Sequence, residues 1–224
     1  MTSSQRSAAS NGDTAIIYER MFVLGIDPGL SRCGFGAVRR TRSGSESVAY
    51  GVLATPPTDE LPARLSSMNR QLRAIIADHH PDVVAVERVF FQTNARTAMG
   101  VGQASGLALA AAFDAGCLVV QYTSNEVKQG ITGFGAADKG QMQRMVQRIL
   151  GLAELPRPAD VADALGLALH HLAVAPFATM ARSSIDAPVQ GLGNARIASS
   201  LGGGLKVTQS TMTTRAARPK AGAR

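Results

Sequence analysis

The chain has 224 residues, is 45% hydrophobic and has a mean hydropathy of +0.05, which fits one globular domain with tails. Its longest apolar run, Ala104 to Val120, is broken by Asp114, and Cys33 and Cys117 stand far apart with no CxxC spacing, which excludes a membrane span and a disulfide scaffold. The formal charge of +7 is uneven: residues 181–224 hold seven Lys/Arg against Asp186 alone, so the pI of 10.1 describes a tail and a DNA-binding argument must rest on placed residues.

Residues 1–20 are polar and Ser/Ala-rich, without a signal-peptide core, and read as a flexible extension; Met21 marks the expected functional start. Phe22–Ile26 reads as a first strand, hairpinned through Pro28-Gly29 to a second over Arg32–Arg40. Glu46–Ala54 reads as a third. Leu65, Met68, Leu72, Ile75 and Ile76 fall at helical spacing within Leu61–His79, and Pro81 stops that helix.

Asp82–Glu87 is a nearly continuous apolar run, the mark of a strand buried on both faces. After a loop over Arg88–Asn94, an Ala/Gly-rich stretch predicts a helix over Ala95–Ala115, closed by Gly116, and Cys117–Gln121 predicts a fifth strand. Helices are expected over Ser124–Gln129 and Asp138–Leu150. Pro156 and Pro158 set up a last one over Asp160–Val174. The order predicts an α/β fold over residues 21–176: a five-stranded mixed sheet flanked by helices on both faces. Residues 177–224 are Gly/Ser/Thr/Ala-rich, basic and aperiodic, and read as a disordered tail.

Four acids are placed where a sheet exposes functional groups. Asp27 and Glu87 end apolar strands, and Asp160 and Asp163 open an apolar helix one turn apart. Asp27 alone also fits a turn residue, and Asp160 alone fits a helix cap. Glu87, ending a doubly buried strand, needs a partner. Two carboxylates about 4 Å apart repel by about 4 kcal/mol at an effective dielectric of 20, so four together call for divalent cations. Such a site suits metal-dependent phosphodiester cleavage. The adjacent pairs His79-His80 and His170-His171 are expected at helix ends, on the surface or capping, and offer no Zn²⁺ ligand set.

Gly25-Ile26-Asp27-Pro28-Gly29, Val86-Glu87-Arg88-Val89-Phe90, Val127-Lys128-Gln129-Gly130 and Ala159-Asp160-Val161-Ala162-Asp163-Ala164-Leu165 occur in this order between Met21 and Ala173. Together they resemble the RuvC-type Holliday-junction resolvases, on a ribonuclease-H-like fold. The resemblance implies that Asp27, Glu87, Asp160 and Asp163 are catalytic ligands for two Mg²⁺ ions, with Mn²⁺ able to substitute. It implies a homodimer that cuts opposing strands of four-way junction DNA by in-line hydrolysis; independently of it, Cys33 and Cys117 are expected to be small buried residues of a reduced, cytoplasmic protein. It further implies a partnership with a branch-migration complex, a junction-binding protein and its hexameric ATPase motor, and no membrane.

The same resemblance raises Lys128 and Lys139, otherwise ordinary surface lysines, to DNA-phosphate contacts, with Arg88 and Arg96 as weaker candidates. It implies that Phe90 wedges or stacks at the crossover. Gly102, Gly106 and Ala110 form a small-residue stripe that serves either packing on the protein's own sheet or the dimer interface. Three rival readings remain: a sugar-kinase or actin-type phosphate binder, a junction-binding module without chemistry, and a different nuclease on the same fold. A dinucleotide loop at Gly100–Gly106 is rejected, since no strand precedes it.

Overall fold

The computed structural model describes residues 20–89 and 95–185, with backbone alone for 95–97 and 176–185. Five strands, β1 (Phe22–Asp27), β2 (Arg32–Thr41), β3 (Gly44–Ala54), β4 (Val83–Glu87) and β5 (Leu118–Tyr122), form one sheet in the order β3-β2-β1-β4-β5. β1–β2 and β2–β3 are antiparallel, whereas β1–β4 and β4–β5 are parallel. The mixed sheet is thus the one expected from the chain order, and its parallel half requires cover on both faces.

Helices α1 (Leu61–His79) and α2 (Ala95–Asp114) cover one face. Leu24, Ile26 and Cys33 from the sheet pack there with Met68, Leu72, Ala108 and Ala112. Helices α3 (Ser124–Thr132), α4 (Lys139–Leu150) and α5 (Ala159–Ile185) cover the other. Val23, Val38 and Ala85 meet Met142, Val146, Leu165 and Leu172 there. Strand period two explains the split, because alternate residues of β1 point to opposite cores. Among the described residues no helix is long and apolar enough to cross a membrane.

Helix starts follow local chemistry. Thr123 and Glu126 form a capping box on α3, and Asp138 and Gln141 form one on α4. Helix α3 runs to Thr132, three residues beyond the expected Gln129, and Gly133, at φ 75°, closes it. His79 ends α1 and His80 follows it at φ 47°, so that pair does close a helix.

Helix α5 departs from expectation twice. It continues through Pro176 to Ile185, beyond the expected end at Val174 and into the segment read as disordered. Proline cannot donate to the carbonyl four residues back, which is Leu172, and Arg40 Nη2 on β2 supplies that bond instead at 2.5 Å. In consequence His170 and His171 are not at a helix end. They are 8% and 5% exposed in the helix interior, where His171 Nδ1 lies 2.7 Å from the Tyr122 hydroxyl. Cys33 is buried as expected, while Cys117 is half-buried.

Candidate active site

The register of the parallel pair assembles the first half of the site. Ile26 lies beside Val86, so Asp27 and Glu87 follow as neighbours at the carboxyl ends of two adjacent central strands. Each is the first partly exposed residue after a fully buried run. The Glu87 carboxyl comes close enough to Asp27 to raise its pKa both as a hydrogen-bonding neighbour and as a charge.

The second half arrives on α5, and glycines let it come close. A Cβ at Gly25 would collide with the Ala164 carbonyl oxygen and lie 3.0 Å from Ala168 N. One at Gly34 would strike the backbone of Asp160, 2.5 Å from its carbonyl carbon, and one at Gly36 would meet Leu165. Bare strand backbone on β1 and β2 therefore receives the first turns of α5, which carry Asp160 and Asp163 to Asp27 and Glu87. All four predicted acids converge, each of the other three acting electrostatically on Asp27.

Without a cation this concentration of charge suppresses ionisation. Asp27 is held well above the ordinary carboxylate range by burial first, then by the Glu87 hydrogen bond and the surrounding negative charge. Asp163 is pushed up to about 6, chiefly by burial and by Glu87, while Lys139 and Lys128 pull it back. Both lysines singled out in the sequence thus act on the acid cluster, Lys128 from α3 and Lys139 from the first turn of α4. Lys128 also lines a small recess with Glu87, Ser124 and Asp163.

The donor set suits a hard divalent cation, being oxygen throughout. Among the described residues no three His, Cys, Asp or Glu side chains are gathered to grip an ion as they stand. Asp27 has Glu87 as its carboxyl neighbour, and Asp160 faces Arg32. Arg32 Nε lies 3.2 Å from Asp160 Oδ2, yet that buried oxygen has no hydrogen-bond partner, so the two are close without being aligned. An orphaned carboxylate oxygen beside two carboxyls whose ionisation is held back for want of counter-charge is what a cation would satisfy.

A cleft of about 380 Å³ opens beside Asp27 and Glu87, lined also by Arg88, Val101, Ser124 and Asn125. Arg88 borders this cleft, and its guanidinium reaches the Gln121 carbonyl at 3.4 Å. A cavity of about 630 Å³ at the other end of the strands, crossed by the Arg73–Asp114 ion pair, contains none of the four acids. Phe90 lies outside the described residues, as does the side chain of Arg96. Of the small stripe, Gly102 is partly covered, while Gly106 and Ala110 are exposed. The segment Gly100–Gly106 is helical, as the rejection of a dinucleotide loop requires.

Sequence reasoning missed Arg32, Ser124 and Asn125. Arg32 carried one readable signal: it precedes Gly34 by two residues on a strand and so shares its face.

Comparisons with known proteins point to one family. Residues 23–171 match the family model described as crossover junction endodeoxyribonuclease RuvC. A protein of that name from Salinispora arenicola is 56% identical over 153 residues, covering 68% of this chain and 87% of its own. One from Syntrophomonas wolfei is 46% identical over 152 residues, covering 68% and 88%. The Thermus thermophilus RuvC structure superposes with a TM-score of 0.64 at 36% identity, covering 71% of this chain and 98% of that one. The same protein in complex with Holliday junction substrate gives the same score and identity. The yeast mitochondrial Holliday junction resolvase, at 13% identity and TM-score 0.56, shares the fold. With the matched segment containing both strand-end acids and the first turns of α5, the chain belongs to the RuvC family of crossover junction endodeoxyribonucleases.

Proposed function

We propose that this chain resolves four-way (Holliday) DNA junctions by paired, symmetric nicks, leaving 5′-phosphate and 3′-hydroxyl ends, in homologous recombination and DNA repair. The observation that carries the reading is the convergence of Asp27, Glu87, Asp160 and Asp163 at one sheet edge, where burial and mutual repulsion hold Asp27 and Asp163 short of full ionisation. Two Mg²⁺ ions per site, replaceable by Mn²⁺, would neutralise these carboxylates, activate the attacking water and stabilise the leaving 3′-oxygen.

The chain's own contribution is positional. Asp27 and Glu87 stand on rigid strand ends, and α5 is seated on the glycines of β1 and β2, so the four carboxylates are held in register before DNA arrives. Lys128 and Lys139 flank the cluster and would take the phosphates on either side of the scissile bond. Arg88 borders the adjoining cleft, and Arg96, in the first turn of α2, would add a further phosphate contact. Phe90 follows Glu87 by three residues and would stack at the crossover.

A symmetric substrate calls for two sites, and a homodimer through α2 would supply them. Met99, Gly106, Ala110 and Phe113 form an outward apolar row on that helix, with Met99 and Phe113 64% and 77% exposed. The seven-residue step from Met99 to Gly106 to Phe113 suits a helix-to-helix seam. Cytoplasmic action beside a branch-migration complex, a junction-binding protein and its hexameric ATPase, completes the proposal.

The test is cleavage of a synthetic four-way junction with and without Mg²⁺, with product ends mapped. Plain duplex and an RNA–DNA hybrid serve as competing substrates. Asp27→Asn should abolish cutting while leaving junction binding in place. Preferential cutting of the hybrid, or of duplex, would assign the fold to a different nuclease activity.

A further inference from the structure

Arg32 is the cation closest to the acid cluster in the described structure, and nothing in the metal chemistry explains it. It opens β2 two residues before Gly34, so the two share the face turned toward α5. Gly34 admits the backbone of Asp160, and Arg32 then meets its side chain, Nε to Oδ2 at 3.2 Å. The contact is poorly aligned, since Oδ2 is left without a hydrogen bond. The Arg32 side chain is 65% exposed and makes no other hydrogen bond or ion pair to a described residue.

We propose that Arg32 is an internal placeholder for the divalent cation at Asp160, displaced when the ion binds, and that its freed guanidinium then pairs with a backbone phosphate of the DNA. This rests on the reading of the four acids as metal ligands. Before loading, the site carries excess negative charge, and a guanidinium beside Asp160 lowers that repulsion. Once divalent charge enters, that excess is neutralised and the guanidinium loses the attraction that held it beside Asp160. A misaligned, mostly exposed pair is easily given up. The planar guanidinium matches two phosphate oxygens at once, and phosphate is the anion that the substrate brings to this edge. Metal loading and DNA engagement are thereby linked through one side chain, which distinguishes Arg32, paired with Asp160, from Lys128 and Lys139, which act on Asp163.

The first measurement is Mn²⁺ affinity of the DNA-free protein, by calorimetric titration or by electron paramagnetic resonance. Arg32→Met should bind Mn²⁺ about 1.5- to 5-fold more tightly than the wild type, the range set by the weak pair it removes, while Arg32→Lys should stay close to wild type. The second is binding of uncut junction in Ca²⁺ against chelator. The wild type should gain more affinity on adding Ca²⁺ than Arg32→Met does. Equal or weaker Mn²⁺ binding by Arg32→Met, or an equal Ca²⁺ gain, overturns the proposal. Failure of the wild type to bind Mn²⁺ at all would instead refute the metal-ligand reading beneath it. Arg32→Gln, neutral and polar, repeats both measurements if the Met variant folds poorly.

Discussion

Gly34→Ala tests whether backbone packing, rather than the acids alone, makes the site. The new methyl carbon would sit 2.5 Å from the Asp160 carbonyl carbon and 3.2 Å from Asp160 Cβ. Ordinary contact needs nearly 1 Å more than the first of these, and both groups are backbone or close to it, so β2 and the start of α5 must separate by about 1 Å. Overpacking of this kind costs about 1–3 kcal/mol of stability. A shift of about 1 Å in a reacting constellation costs about 100-fold in rate. The expected result is a folded protein with a modestly lower urea midpoint and single-turnover junction cleavage reduced about 100-fold. Gly135→Ala is the stability control, because its would-be Cβ meets nothing closer than 3.5 Å. Full cleavage by a fully stable Gly34→Ala protein would refute the claim that this glycine sets the position of Asp160.

Metal-free stability should depend on pH through Asp163. Its folded value near 6 exceeds its unfolded value near 3.8, so between these limits the native state holds a proton that the unfolded chain has released. Stability is therefore lost as pH rises through that window, by up to about 3 kcal/mol. His171, lowered to about 4, and His170, also lowered, act in the opposite sense, so the difference between wild type and Asp163→Asn is the quantity to measure. Identical pH dependence in the two proteins would remove Asp163 from the account. Arg40→Met should strand the Leu172 carbonyl above Pro176 and cost about 1–3 kcal/mol, with Pro176→Ala in the same background restoring most of it. No recovery in that double mutant would break the link. Phe113→Glu should shift sedimentation toward the monomer at little cost to the fold, and an unchanged dimer would place the interface elsewhere. Lys128→Ala should lower the slope of log affinity against log salt by about 1, and an unchanged slope would exclude the phosphate contact.

Much of this was legible in the sequence because it is local. Short continuous apolar runs marked β1 and β4, helical spacing marked α1, and Ser124 and Asp138 marked where two helices begin. The four acids were visible because charge at the end of a buried run is unusual. What escaped was set by distant partners. Nothing near Pro176 indicates that Arg40 will complete the helix there, so α5 was ended too soon and His170-His171 was assigned to a terminus. Arg32 escaped for the same reason, since its role depends on Gly34 admitting a helix from far along the chain. Phe90 lies outside the described residues, and its expected stacking stands as a proposal.

The parallel pairing of β1 with β4, and the docking of α5 against both, carry a consequence for synthesis. Asp27 and Glu87 are joined only by closing a loop of about 60 residues, and Asp160 and Asp163 come from later still, contacts that form slowly and late. A chain still emerging from the ribosome, or one partly melted, holds its carboxylates on separate segments and, on the proposed function, has no centre able to nick DNA. An enzyme that is dangerous to a chromosome is thereby silent until its whole domain has closed.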